Sequence, residues 1–420
     1  MRRLGAVLAA LAVAAGAIVW WAGSADARVG AAVAEAPYVA YPTVEQVSDF
    51  GFMQAELRER RALGNNVVPV FGSSELYPNG KGEGHPMTLL RGRRYGVDAV
   101  TVGRAYCEDL WHAVEMGALA PDLVAAGENR VVFFVSLSWF MQDRHPAADL
   151  ASSFSEGAYE AFMANDAVSD ATKGRIAARL AEYGIDKGQG AGPLAEAASA
   201  VDGVAERVQK RVRLDVALEQ AGGTGGLTDD EVSAAAEADG SGAGAASTGA
   251  AAAAQEPDWD TLFARGDAEA HQLAYNNDLG YDGNDWATGW RDRFLRWGSE
   301  IDPAKELLSS QEFDDLDLAL EVCQEAGLKP LVVIQSCKGE AYDKTPITAD
   351  VRVEFYQRVR DLSAAHGADV ADFSPHEYDT YFCRDEVHPS ALGSVYYSKA
   401  IWTWLMTGTA DTSGLSAAGE

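Results

Sequence analysis

Five short stretches of the chain are apolar with little or no interruption. They are Val67–Phe71 (VVPVF), Ala99–Gly103 (AVTVG), Arg130–Leu137 (RVVFFVSL), Lys329–Ser336 (KPLVVIQS) and Ala368–Ser374 (ADVADFS). Runs of this length without strict alternation fit strands covered on both faces, as in a parallel sheet. Between them the apolar positions take helical spacing. Val44–Leu63 carries Val47, Phe50, Phe52, Met53 and Leu57, and Tyr106–Leu119, Asp314–Ala326, Val351–Ala365 and Ala391–Leu405 read the same way. Strand alternating with helix predicts an α/β fold built on an open parallel sheet with helices on both faces, three layers in all.

Two segments break this rhythm. From about Gly188 to Gln255 the chain turns to Gly, Ala, Ser and acidic residues, and after Leu227 the only bulky residue is Val232. Such a stretch cannot bury enough apolar area to offset the entropy lost on ordering, which predicts a disordered insertion over 221–256. Its flank, roughly Ala167–Gln220, reads as helical excursions outside the sheet, and Asp258–Asp278 resumes as an amphipathic helix. The predicted organisation is one α/β domain in two pieces, 41–166 and 258–408, with a helical and low-complexity insertion at 167–257.

The second break is the N-terminus, where Arg2 and Arg3 precede an uncharged run from Leu4 to Gly23. Twenty or so helical residues span roughly 30 Å, the thickness of the bilayer hydrocarbon. Trp20 and Trp21 stand where an interfacial belt would lie, and the arginines favour an N-inside orientation. Residues 1–23 are therefore read as a single-pass anchor in the cell membrane, leaving the remainder extracytoplasmic. A cleaved signal peptide is the alternative, since Ala25-Asp26-Ala27 has the small-x-small pattern. Either way the body is exported.

Acidic residues exceed basic ones by 63 to 34, a formal charge of −29, which repels nucleic acid phosphates and argues against a general nucleic-acid role. An exported body allows disulfides among Cys107, Cys323, Cys337 and Cys383, but the sequence does not pair them. No C-x-x-C pair exists, which speaks against structural zinc.

Candidate chemistry concentrates in two places. Phe71-Gly72-Ser73-Ser74-Glu75-Leu76 closes the first predicted strand. In open α/β sheets ligands gather outside the carboxyl ends of strands, and a serine on a strand-to-helix turn exposes its hydroxyl there. The same residues also suit an ordinary turn and helix cap. Asp385-Glu386-Val387-His388 precedes the last predicted helix. A carboxylate three residues from an imidazole can hold its far nitrogen and leave the near one free to take a proton from a serine. In isolation this segment too reads as a capped helix start.

Taken together, an early Gly-Ser-Ser and a late Asp-x-x-His resemble the SGNH, or GDSL-like, hydrolases. The third residue of that family's first block is the nucleophile, which corresponds to Ser74, with Ser73 at the position of its Asp. Over most of the exported chain the similarity sharpens toward the DltD family of D-alanyl transfer proteins. It is carried by FGSSEL with His85-Pro86 downstream, by Val102–Leu119 (VGRAYCEDLWHAVEMGAL), by Ser136–Phe140 (SLSWF) and by Glu312–Asp343. This chain has Leu137-Ser138 and Cys337-Lys338-Gly339 where that family shows Pro-Gln and Asn-Gly.

The resemblance implies a three-layer SGNH-like fold and acyl transfer through a serine ester. Ser74 would be the nucleophile, His388 the base and Asp385 its orienting carboxylate. The amides of Ser74 and Gly103 would receive the oxyanion, with no metal or organic cofactor needed. It further implies a D-alanyl group arriving from a DltB-like membrane acyltransferase and leaving on a teichoic acid hydroxyl. Trp139 and Phe140 are candidates for an acyl pocket or for core packing. Arg91, in the basic run Leu89–Gly96, is a candidate contact for polymer phosphate if that run lies near the sheet's carboxyl edge. The alternatives are an envelope glycan O-acyltransferase or esterase of the same superfamily, and a non-catalytic scaffold of the D-alanylation complex.

Overall fold

The computed structural model describes residues 47–63, 66–76, 82–92, 95–141, 147–185 and 256–410, with isolated positions at 13–31 and 208–214. Its main elements in chain order are α1 (Phe50–Leu63), β1 (Val67–Gly72), β2 (Asp98–Gly103), α2 (Asp109–Ala125), β3 (Arg130–Val135), α3 (Glu156–Ala164), α4 (Asp170–Glu182), α5 (Trp259–Leu273), α6 (Trp290–Glu300), α7 (Ser310–Glu325), β4 (Lys329–Ile334), α8 (Ala349–Ala365), β5 (Asp369–Asp372) and α9 (Ala391–Thr407). The strands form one parallel sheet in the order β2-β1-β3-β4-β5. The predicted α/β class and open parallel sheet are found.

Alternation along each strand feeds two separate apolar layers. Val67 and Phe71 of β1, Val131, Phe133 and Val135 of β3, and Val332 and Ile334 of β4 point to one side, where α1, α2, α7 and α8 cover them. Val68, Val70, Val132, Phe134, Leu331 and Val333 point to the other, against α5 and α9. Burial of both faces is what left no polar positions for a reader of the sequence to use as a phase marker.

Element ends follow local chemistry. The helix expected from Tyr106 starts instead at Asp109, because Tyr106 sits at φ +70°, outside the helical region. Ser309, Ser390 and Asp258 cap α7, α9 and α5 by accepting the N–H groups of Glu312, Gly393 and Thr261. Gly408, at φ +76°, ends α9. Helix α4 lies outside the sheet and joins α7 through Arg179, which pairs with buried Asp315 at 2.8 Å.

All four cysteines are buried free thiols, and burial pushes Cys107 and Cys383 up to about 12. Among the described residues no helix is long and apolar enough to cross a membrane. The Leu4–Gly23 run and the low-complexity stretch lie outside the described residues, apart from isolated positions and Glu256.

Candidate active site

In this strand order β1 leads to β2 on one side, and the chain then crosses back to β3 on the other. The carboxyl end of β1 is therefore the switch point of the sheet, where such folds open a crevice. Ser74 is the second residue past that end. Two glycines pack closely where the chain makes its turn. Gly72 pairs in register with Gly103. A Cβ on Gly72 would stand 2.2 Å from Glu75 Oε1, and one on Gly103 would stand 2.5 Å from Leu76 Cβ and 2.7 Å from the Ser73 carbonyl oxygen.

The two serines have different surroundings. Ser73 is 2% exposed; its N–H donates to Glu75 Oε1 (2.6 Å) and its hydroxyl accepts the Tyr106 N–H (3.1 Å). Ser74 is half-buried, and its Oγ lies 2.7 Å from His388 Nε2. His85 braces the turn from below: its Nδ1 accepts the Met87 N–H, which leaves Nε2 to donate to the Glu75 carbonyl at 2.9 Å.

The partner loop is a tight hairpin. Cys383 and Pro389 form an antiparallel bridge, and the Arg384 N–H donates to the His388 carbonyl at 2.9 Å. Within it Asp385 uses both oxygens. Oδ1 accepts the N–H groups of Val387 (2.9 Å) and His388 (2.8 Å), and Oδ2 lies 2.8 Å from His388 Nδ1. Burial opposes ionisation of Asp385, but the imidazole and these hydrogen bonds outweigh it and hold the carboxyl well below the usual range. The hairpin is tied to the end of β4 by the Lys338 N–H, which donates to the Glu386 carbonyl at 2.9 Å. Buried Lys338 Nζ also donates to the carbonyls of Leu279 (2.9 Å) and Thr380 (2.8 Å).

The remaining expectations fare differently. Trp139 closes the short turn after β3, is 4% exposed and lies 5.7 Å from the His112 ring. Phe140 is fully buried between Phe313 (4.6 Å) and Phe355 (5.0 Å), so of its two candidate roles it takes core packing. Arg91 is corrected. The neighbouring Leu90 carbonyl accepts the Ala99 N–H and the Gly92 N–H donates to Asp98, which sets this segment at the amino end of β2. Five residues of strand, about 16 Å, separate that end from Gly103, and Arg91 is not at the rim that holds Ser74.

Residues not anticipated from the sequence also converge here. A cavity of about 290 Å³ beside the hairpin is lined by Trp290, Arg293, Phe294, Trp297, Tyr342, Glu386 and Val387. Arg104, next to Gly103, donates to the hydroxyls of Ser152 and Ser153, both at 2.9 Å. No group of three or more His, Cys, Asp or Glu suited to a metal occurs among the described residues.

Fold and site together define an α/β protein whose parallel sheet carries a hydrogen-bonded serine, imidazole and carboxylate row at its carboxyl rim. Residues 45–406 match the family model described as DltD protein, and the chain belongs to the DltD family. It is 25% identical over 367 residues to protein DltD of Bacillus subtilis (strain 168), covering 86% of this chain and 88% of that protein. A shorter match, 28% over 94 residues, covers 22% of this chain and 24% of protein DltD from Staphylococcus aureus (strain NCTC 8325 / PS 47).

Proposed function

We propose that this protein is a serine-dependent acyltransferase or esterase acting outside the cytoplasm in the D-alanylation of teichoic acid, held at the membrane by residues 1–23. The observation that carries the reading is the unbroken row from Ser74 Oγ through His388 to Asp385, at 2.7 Å and 2.8 Å.

In that reading His388 Nε2 takes the Ser74 proton as Oγ attacks the D-alanyl carbonyl. The oxygen of the carbonyl becomes an oxyanion, received by the amides of Ser74 and Gly103. Collapse expels the donor's alcohol or thiol, which leaves with the proton from His388, and a D-alanyl ester remains on Ser74. A teichoic acid hydroxyl then gives its proton to His388, attacks that ester and carries the acyl group away, and Ser74 is reprotonated. Asp385 keeps the tautomer that presents a lone pair at Nε2. The Ser73 N–H, engaged by Glu75, is not a donor in this scheme. The D-alanyl group would arrive from a DltB-like membrane acyltransferase.

Acyl-enzyme trapping with mass spectrometry tests this directly. A D-alanyl adduct of about 71 Da is expected on the Ser74 peptide and absent from Ser74→Ala. Cells carrying Ser74→Ala that retain full wall D-alanylation would sink the enzyme reading.

A further inference from the structure

The aromatic cavity beside the hairpin has an unusual floor. Glu386 is 2% exposed, and among the described residues the donors to its oxygens are neutral: the Trp290 indole N–H at 2.6 Å, the Tyr281 hydroxyl at 3.2 Å and its own backbone N–H. No Lys, Arg or His lies within ion-pair distance of it among the described residues. Nearby cations among the described residues have other partners, Arg291 facing Glu340 and Arg384 pairing with Asp285. Lys338 Nζ points to the carbonyls of Leu279 and Thr380, and Arg293, on the cavity wall, donates to the Thr288 carbonyl and lies 5.2 Å over the Trp290 ring. A buried carboxylate without a cation is costly. Burial, then the neighbouring Asp385, pushes Glu386 up to about 7. The walls that surround it, Trp290, Phe294 and Tyr342, are apolar surfaces that also attract a cation through their ring faces. Val387 lines the same cavity and is followed directly by His388.

We propose that this cavity is the subsite for the ammonium group of the transferred aminoacyl unit, with Glu386 as its counter-ion and the aromatic rings enclosing its aliphatic carbons. The proposal rests on the acyl-transfer reading above and adds what that reading lacks, a device that prefers an amino acid ester over a plain fatty or acetyl ester. Such a preference comes from a charge-assisted hydrogen bond made by one substrate and not by its isostere.

The test compares the full chain with Glu386→Gln on two soluble esters, a D-alanyl ester and the propionyl ester of the same alcohol, which lacks only the amino group. Intrinsic reactivity cancels when the ratio of their kcat/KM values is compared between the two proteins. Glu386→Gln is expected to lower that ratio about tenfold to a hundredfold. A second measurement needs no change at Glu386: Ser74→Ala is titrated with D-alaninamide and with propionamide, following tryptophan fluorescence. D-alaninamide is expected to bind at least tenfold more tightly. An unchanged ester ratio, or equal binding of the two amides, overturns the proposal. Selective D-alaninamide binding with an unchanged ester ratio would place ammonium recognition away from Glu386 and likewise overturn it. Ester turnover that persists in Ser74→Ala would refute the underlying acyl-transfer reading instead, so the two failures are distinguishable.

Discussion

Two Asp-x-x-His segments occur in this chain, and the structure treats them in opposite ways. Asp385 and His388 lie in a hairpin, with Asp385 Oδ2 2.8 Å from the ring nitrogen and Oδ1 held by two backbone N–H groups. Asp109 and His112 lie in the first turn of α2, 3.7 Å apart and both fully buried. The His112 ring sits among Phe71, Trp111, Phe133 and Trp139, with neither nitrogen hydrogen-bonded among the described residues. Equal spacing thus produces a hydrogen-bonded row that reaches Ser74 in one place and a piece of core in the other. Backbone conformation makes the difference. A helix sends side chains three apart outward side by side, whereas the hairpin folds the carboxylate back under the imidazole and opens the far nitrogen to Ser74.

The sharpest way to break this contrast is to exchange the histidines one at a time. His388→Ala is expected to lower ester turnover on the order of 10³-fold or more, whereas His112→Phe should keep turnover within tenfold and register in the melting temperature. Equal losses in turnover would end the contrast. Next in size is Asp385→Asn, which keeps the shape of the hairpin but favours the wrong imidazole tautomer. It is expected to cost up to about 10⁴-fold in kcat, while Asp109→Asn should cost little in the same assay. Gly103→Ala comes third. Its methyl would press on Leu76 and the Ser73 carbonyl, and a stability loss of about 1–3 kcal/mol by denaturant titration is expected together with slower turnover.

The smallest effects are in the pH dependence of stability. Asp385, with its pKa depressed in the fold, contributes stability that is present above the ordinary Asp value of about 3.9 and is lost as pH falls through the depressed value. Glu386 has the opposite sign. Its folded value of about 7 exceeds the ordinary Glu value of roughly 4.3, so the folded state holds the extra proton and stability declines as pH rises between the two. Glu386→Gln should flatten that decline and Asp385→Asn the acid-side loss, both read from denaturation midpoints at a series of pH values.

Much of the architecture was legible because buried parallel strands must be apolar throughout. Val67–Phe71, Ala99–Gly103 and Lys329–Ser336 stand out for that reason, and their observed ends differ by three residues or fewer. Ser74, Asp385 and His388 could be chosen because each sits in a short block with its own chemical character, although 314 residues separate the first from the last. The cavity had no such signature. Trp290 and Tyr281 reach Glu386 across 96 and 105 residues, and no periodicity records such a meeting. Arg91 went astray because a basic run reveals charge but not which end of a strand it flanks. Phe140 and Trp139 both lie in the same buried layer, and aromatic residues that suit a pocket suit a core equally well, so sequence alone left the two roles open.

Helix α9 reaches back over nearly the whole length of the protein. Ser398 donates to the Gly84 carbonyl, Trp402 to that of Tyr95, and the Leu405 carbonyl accepts from Arg130. A ribosome making this chain therefore delivers the hydroxyl long before the imidazole, and the segment that clasps both halves together follows the imidazole. The contact between Ser74 and His388 can form only once nearly all of the described residues have left the ribosome.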